Sequence, residues 1–343
     1  MPIVGLNLGL NNFRAVEIEK SKGSVMLTKY GTYKNPRINL ETDELADINE
    51  YASALDTFFT EKGFDRRNVI AGLPESQVFV RTIKLPDMND KELQSSIQFE
   101  AEQYIPLPIK DVTLSFQRLD PDVTDRDKVN VLLVAAKKSV ISKYIEVLKK
   151  ANLSPSGLEP ETLAMSRALG DRPDAPYATI IADINTSNTL LIVTYKGFVR
   201  LTRSLSVGGD VLTRAVQQAL SLDYEQAEEY KKTYGLDNTK VEGKVSGALV
   251  PVFDNIIAEI KRSKVFFTTR NPNVKINKVI VSGGTALMPG LFLYMVNNLD
   301  VEVELANPWK ELSLHPKIES EKDTLLHLGP VFVTPVGLAL KEL

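Results

Sequence analysis

The sequence predicts an α/β protein of two lobes, and three observations carry that prediction. A strand–turn–strand pattern occurs twice, over residues 3–18 and again over 180–193. Each copy opens a β-β-β-α series in which period-two alternation gives way to helical spacing. Between the copies, residues 76–157 carry strand and helix patterns of their own and read as an inserted unit.

In the first copy, residues 1–34 alternate and break at Asn11-Asn12 and Lys22-Gly23, giving three antiparallel strands. Residues 43–62 place Leu45, Ile48, Tyr51, Ala52, Leu55, Phe58 and Phe59 at spacings of three and four. That is an amphipathic helix, ended by Gly63. Residues 69–74 form a short buried strand closed by Pro74.

The insert follows as β-α-β-β-α. Residues 77–83 alternate as a strand. Residues 89–103 make a charged helix with Asn89 as N-cap and Glu92 three residues on. Strands at 113–119 and 129–135 flank the charged loop 120–128, and 140–151 is a helix. A helix over 158–169 is expected to join the halves.

The second copy has strands at 178–184, 189–195 and 198–206, then a helix over 210–221 that starts from Gly208-Gly209-Asp210. A further helical stretch holds Ala227, Tyr230 and Lys231, and a long helix spans 248–268. The strand ending at Ser282 runs into Gly283-Gly284. Met288-Pro289-Gly290 then opens a helix reaching Leu299, and 301–305 is a final strand. Residues 331–343 read as a strand, Pro335 and a short helix. The expected division is 1–75 with 158–175 as first lobe, 76–157 as insert, and 176–343 as second lobe.

Composition narrows the function. The 343 residues are 43% hydrophobic and 25% charged, with net charge −3, which leaves no electrostatic footprint for nucleic acid. No cysteine is present, so disulfides, thiolate nucleophiles and sulfur-ligated zinc are excluded. The N-terminus has no signal-peptide pattern, and no run of apolar residues is long enough to span a bilayer. Both histidines, His315 and His327, stand apart in a polar stretch and read as surface residues.

Five constellations carry candidate chemistry. The first turn offers backbone N–H groups around Gly9, Asn11 and Asn12, with Asn7 before them and Arg14 after as a charged phosphate partner. Alone it is an ordinary β-turn; its repetition around Asp183, Asn185 and Ser187 points to two loops gripping one phosphate chain. Asp183 can hold a water-ligated magnesium ion or orient a water. Gly283, Gly284, Thr285 and Ala286 would let backbone approach a flat ligand, as Gly208, Gly209 and Asp210 would at a helix start. Glu259, Arg262 and Ser263 share a helix face that suits a ribose. Glu159 and Glu161 open the linking helix, where one could position a water.

In that order, the motifs resemble the actin, hexokinase and heat-shock chaperone ATPase superfamily. The insert position resembles its FtsA-like branch. Residues 80–88 (VRTIKLPDM) and 100–108 (EAEQYIPLP) resemble the PilM family of type IV pilus assembly, as do 152–155 (NLSP), Arg262-Ser263 with Phe266-Phe267, and Ser282-Gly283-Gly284 before Leu287-Met288-Pro289-Gly290. The resemblance implies a two-lobed actin-like (ribonuclease H-like) fold with an FtsA-type inserted subdomain. In that family's terms the first lobe is 1A, the insert 1C, and the second lobe 2A/2B. It implies ATP or ADP with Mg2+ in the cleft, and slow or absent hydrolysis with Asp183 and Glu161 as catalytic candidates. The implied partner is the N-terminal cytoplasmic tail of PilN, held in a groove near Val78, Val80, Ile105 and Pro106, with pilus motor ATPases beyond it. The implied place is the cytoplasmic face of the inner membrane, reached through PilN without direct membrane insertion. An active ATPase, or the equivalent adaptor of a type II secretion system, is the alternative. The chain departs from the family pattern where Asn7 replaces an acid, Arg14 a lysine and Asn185 a glycine.

Overall fold

The computed structural model describes residues 1–21, 23–36, 38, 40, 48–121 and 127–342. Leu45 of the expected first helix, Lys22 of the second turn and the middle of the loop 120–128 lie outside the described residues.

The chain starts with β1 (Ile3–Leu8), β2 (Asn12–Ser21) and β3 (Ser24–Lys34), an antiparallel meander, followed by α1 (Ile48–Lys62) and β4 (Val69–Leu73) parallel to β1. The apolar stripe of α1 is the one the spacing gives: Ile48, Tyr51, Ala52, Leu55, Phe58 and Phe59 are all buried. The insert is β5 (Val78–Pro86), α2 (Asp90–Glu102), β6 (Val112–Pro121), β7 (Lys128–Lys137) and α3 (Lys138–Lys150), with its own sheet in the order β5-β7-β6. Asn89 caps α2 through a reciprocal box with Glu92, as its sequence requires.

Residues 158–169 are not one helix. Residues up to Pro160 form a strand, β8 (Pro155–Pro160), parallel to β4, and only then does α4 (Glu161–Leu169) begin. Pro155, Gly157 and Pro160 oppose helix, and Pro160 is where α4 starts.

The second lobe runs β9 (Ala178–Ile184), β10 (Thr189–Tyr195), β11 (Phe198–Leu205), α5 (Gly209–Leu220), α6 (Tyr224–Tyr234), α7 (Lys244–Arg270), β12 (Ile276–Ser282), α8 (Leu291–Asn298) and β13 (Glu302–Leu305). Its sheet order is β11-β10-β9-β12-β13. The chain ends in β14 (Ser313–Leu314), α9 (Lys322–Leu328) and α10 (Val333–Ala339).

That ending corrects two expectations. Residues 333–339 are helix, not strand, with Pro335 in the first turn where a missing N–H costs little. Residues 313–339 also do not stay with the second lobe. β14 pairs with β3, and α10 lies on β1 and α4, burying Phe332, Val336 and Leu338 with Ile3, Val16 and Ile70. Two glycines make the contact close enough. A Cβ at Gly5 would stand 2.0 Å from Pro335 O, and one at Gly337 would stand 1.8 Å from Ala164 O.

The helices α4 and α10 thus sit between the two large sheets. Met165 and Val333 share one apolar cluster with Ile181, Ile192 and Ile280 of the second sheet and Val80 and Leu132 of the insert.

Candidate functional site

The two hairpin turns face each other. Asn11 Nδ2 donates to Thr186 Oγ1 at 3.0 Å across the gap between lobes. Each turn is held from behind. Asn35 donates to Gly9 O at 2.8 Å, Asn35 N–H donates to Asn11 O, and a Cβ at Gly9 would meet Asn12 O at 2.8 Å. On the other side Asn185 N–H donates to Asn188 O at 2.9 Å and closes the turn, with Ser187 exposed at its tip.

Register places matching charges below the turns. Asn7 pairs with Arg14 on β1 and β2, while Asp183 pairs with Leu190 on β10 and Ser282 on β12. Burial lowers the Arg14 pKa, and the facing Asp183 offsets part of that. Its Nε is buried and has no hydrogen-bond partner among the described residues. Asp183 is buried, and burial raises its pKa against the opposing pull of Asn185, the Ser282 hydroxyl and Arg14. A guanidinium whose Nε is buried and unpartnered, facing a buried carboxylate, is an arrangement that an anionic ligand with its cation would complete.

The two acids that open the linking segment separate cleanly. Asn7 Nδ2 donates to Glu161 Oε1 at 2.6 Å, so Glu161 points to the end of β1. Glu159 is buried and held by both Arg167 Nη atoms, at 2.6 and 2.8 Å, and Arg167 also donates to Gly337 O at 2.6 Å. Arg167 of α4 therefore ties Glu159 of β8 to α10, and Glu159 is unavailable to a ligand.

Gly283 and Gly284 have different jobs. Gly283 has φ +85°, and a Cβ there would lie 2.4 Å from Ile184 O, so strand crossing requires it. Gly284 has nothing within 4 Å of its Cβ position and borders open space beside buried Thr285 and Ala286. At the start of α5, Gly209 and Asp210 N–H groups donate to Asn185 O and Thr186 O, both at 2.8 Å, and a Cβ at Gly208 would meet Asn185 O at 2.6 Å. Gly208, Gly209 and Asp210 thus brace the second turn, and the N–H donors of Gly209 and Asp210 are already used.

Glu259 and Arg262 form an ion cluster with Arg203 of β11, and Ser263 is fully buried with an unpartnered hydroxyl. A different acid–base pair stands beside the turns. Lys231, buried on α6, donates to Gly209 O at 3.0 Å and Thr213 Oγ1 at 2.8 Å and pairs with Glu228 at 2.5 Å. Glu228 is held down to a pKa of about 2, against the cost of its burial, by Lys231, Thr213 and Lys232. The sequence signal for this pair is a lysine four residues after Ala227 on the buried stripe of α6. Thr186 had no such signal; only the closed cleft reveals it.

The expected partner groove needs correction. Val80 and Ile105 are 7% and 5% exposed and belong to apolar clusters, Val80 against Met165 and Ile181, Ile105 against Leu93 and Ile97. Val78 packs on two clusters, while Pro106 is exposed. On the same insert Phe99 is 74% exposed.

A family model described as type IV pilus assembly protein PilM matches residues 5–343. The chain belongs to the PilM family. Among solved structures, it is similar to a chain of the PilM–PilN type IV pilus biogenesis complex, at 27% identity and TM-score 0.83, over 99% of this chain and 98% of that one. It is similar to MreB5 of Spiroplasma citri, solved with ADP, at 14% identity and TM-score 0.52, over 90% of this chain and 92% of that one. That likeness concerns the fold, which is two-lobed, α/β and actin-like. Cell division protein FtsA of Bacillus subtilis (strain 168) is 23% identical over 260 residues, covering 68% of this chain and 58% of FtsA, so the chain spans little more than half of that relative. No helix of the described residues is long and apolar enough to cross a membrane.

Proposed function

We propose that this chain is a nucleotide-binding adaptor of type IV pilus assembly. ATP or ADP lies between the turns, with Asn7, Gly9, Asn11, Asn12 and Arg14 on one side and Asp183, Asn185, Thr186 and Ser187 on the other. Gly284, with Thr285 and Ala286, borders the base. Glu228, held beside the turns by Lys231, takes the ribose in place of Glu259 and Arg262.

Mg2+ fits as a phosphate-bound, hydrated ion. The described residues hold no cluster of three acids or histidines that would cage a metal, and Mg2+ keeps most of its waters. Asp183 would hold it through water, and the added positive charge would relieve the cost of its burial. Bound nucleotide supplies charge to the cleft; the chain's residues orient it. With an amide at Asn7, hydrogen-bonded to Glu161, one carboxylate that would hold the hydrated ion is missing. We therefore assign the cleft to gating more than to turnover.

The partner is the N-terminal cytoplasmic tail of PilN, docked between the first lobe and the insert. This would hold the chain at the cytoplasmic face of the inner membrane and lead on to the motor ATPases. Family membership and the likeness to a PilM–PilN complex support this reading.

The observation that carries the nucleotide reading is the contact between Asn11 and Thr186 over the Arg14–Asp183 pair. Calorimetry with ATP and Mg2+ tests it, using Gly284→Val. The new Cβ meets no protein atom within 4 Å, so the apo melting temperature should stay, while nucleotide affinity should fall at least tenfold. Equal affinity in both proteins removes the cleft as the site. A pull-down with the PilN tail, with and without nucleotide, then tests the adaptor role separately.

A further inference from the structure

A second binding surface lies on the outer side of α7. A cavity of about 510 Å³ is lined by Arg203, Lys261, Arg262, Val265, Phe266, Thr269 and Arg270. Four cations surround it, and Glu259 is the carboxylate paired with two of them, Arg203 and Arg262. The local balance is strongly basic in a chain of net charge −3. Arg270 stacks on Phe266 at 3.7 Å, and Arg203 lies over the same ring at 5.1 Å. Stacking fixes a guanidinium plane in advance, which favours paired hydrogen bonds to a carboxylate. Val265, 63% exposed, adds an apolar contact.

One end of this surface starts near the cleft, since Arg203 aligns through Leu191 with Ala182, and the surface runs from there along α7 to Arg270 at the far end. Phe267, next to Phe266, packs on Tyr195, which pairs with Ala178 at the start of β9. Asp183 stands near the other end of that strand, about 17 Å along it.

We infer that this cavity binds an acidic peptide segment of another protein, with carboxylates on Lys261 and Arg270 and an apolar residue on Val265 and Phe266. Charge complementarity favours this occupant. Lipid-binding clusters use about four to eight free basic residues, whereas two of the four here are tied to Glu259. Nucleic acid takes an extended basic stripe, not an apolar-floored hollow.

The test uses the full chain and a short fluorescein-labelled peptide with glutamates on both sides of a central leucine, read by anisotropy. Its glutamine counterpart is the control. The acidic peptide should bind more tightly than the control, weaken with added salt, and lose affinity at least about tenfold in the surface variant Lys261→Ala/Arg270→Ala. Arg270→Lys, which keeps the charge but not the stacked plane, should lose part of it. Circular dichroism melts check that the variants stay folded. Equal binding of the control peptide, unchanged binding by the folded double variant, displacement of the peptide by ATP, or capture by phosphatidylglycerol vesicles without peptide binding would each overturn the inference.

Discussion

At the residue scale, the same kind of side chain does opposite work depending on what surrounds it. Glu159 and Glu161 are two positions apart, yet one is locked by Arg167 and the other meets Asn7 at the cleft. Arg167→Ala strands the buried Glu159 charge and should cost about 3–5 kcal/mol in urea unfolding, because an unpaired buried carboxylate loses its counter-charge. A third acid, Glu75, titrates at a seam. It sits after Pro74 with its Oε2 buried and unpartnered, near Thr162 of α4 and Thr202 of β11, and desolvation raises its pKa from 4.5 to about 7. The folded state therefore holds this proton more tightly than the unfolded chain does. The stabilisation is complete below the unfolded value and is lost as pH rises through about 7. Melting temperatures of wild type should fall between pH 5 and pH 8 relative to Glu75→Gln; parallel curves would remove Glu75 as the cause.

At the element scale, local signals succeeded where the chain itself supplies the partner. Asn89 and Glu92 announce the start of α2, and Asn89→Ala should cost about 1 kcal/mol by denaturant titration. The α1 stripe and the hairpins were equally legible, because period and turn residues fix them. They failed at β8 and α10. An edge strand of six residues holding two prolines and a glycine has little period, and only pairing with β4 makes it a strand. In α10, apolar and β-branched residues read as strand until the groove between β1 and α4 selects helix. Gly337→Ala tests that groove. With Ala164 O 1.8 Å from the new Cβ, α10 must move, and the expected result is a loss of several kcal/mol or failure to fold.

At the scale of the whole molecule, α4 and α10 join the lobes through one apolar cluster that the insert also enters. Charge placed in that cluster acts on all three units. Val80→Glu should give insoluble or unfolded protein by circular dichroism, and a change at exposed Phe99 or Pro106 is the proper probe of partner binding on the insert. Nucleotide should stabilise the whole chain by mass action, by about 2.7 kcal/mol at a hundredfold excess over its dissociation constant. A scanning melt with ATP and Mg2+ measures this, and a single shift of the entire transition is expected because the cleft spans both lobes.

The sequence alone determined the two hairpins, the acid or amide ending each first strand, the glycine pair after β12 and the family likeness of the insert, since each lies within a few consecutive residues. Tertiary structure decided which acid meets Asn7, that Lys231 and not Arg262 stands beside the turns, that Val80 and Ile105 are core, and that the C-terminal helix returns to the first sheet. Those outcomes depend on burial and on contacts between residues far apart in the chain, which short-range spacing does not encode.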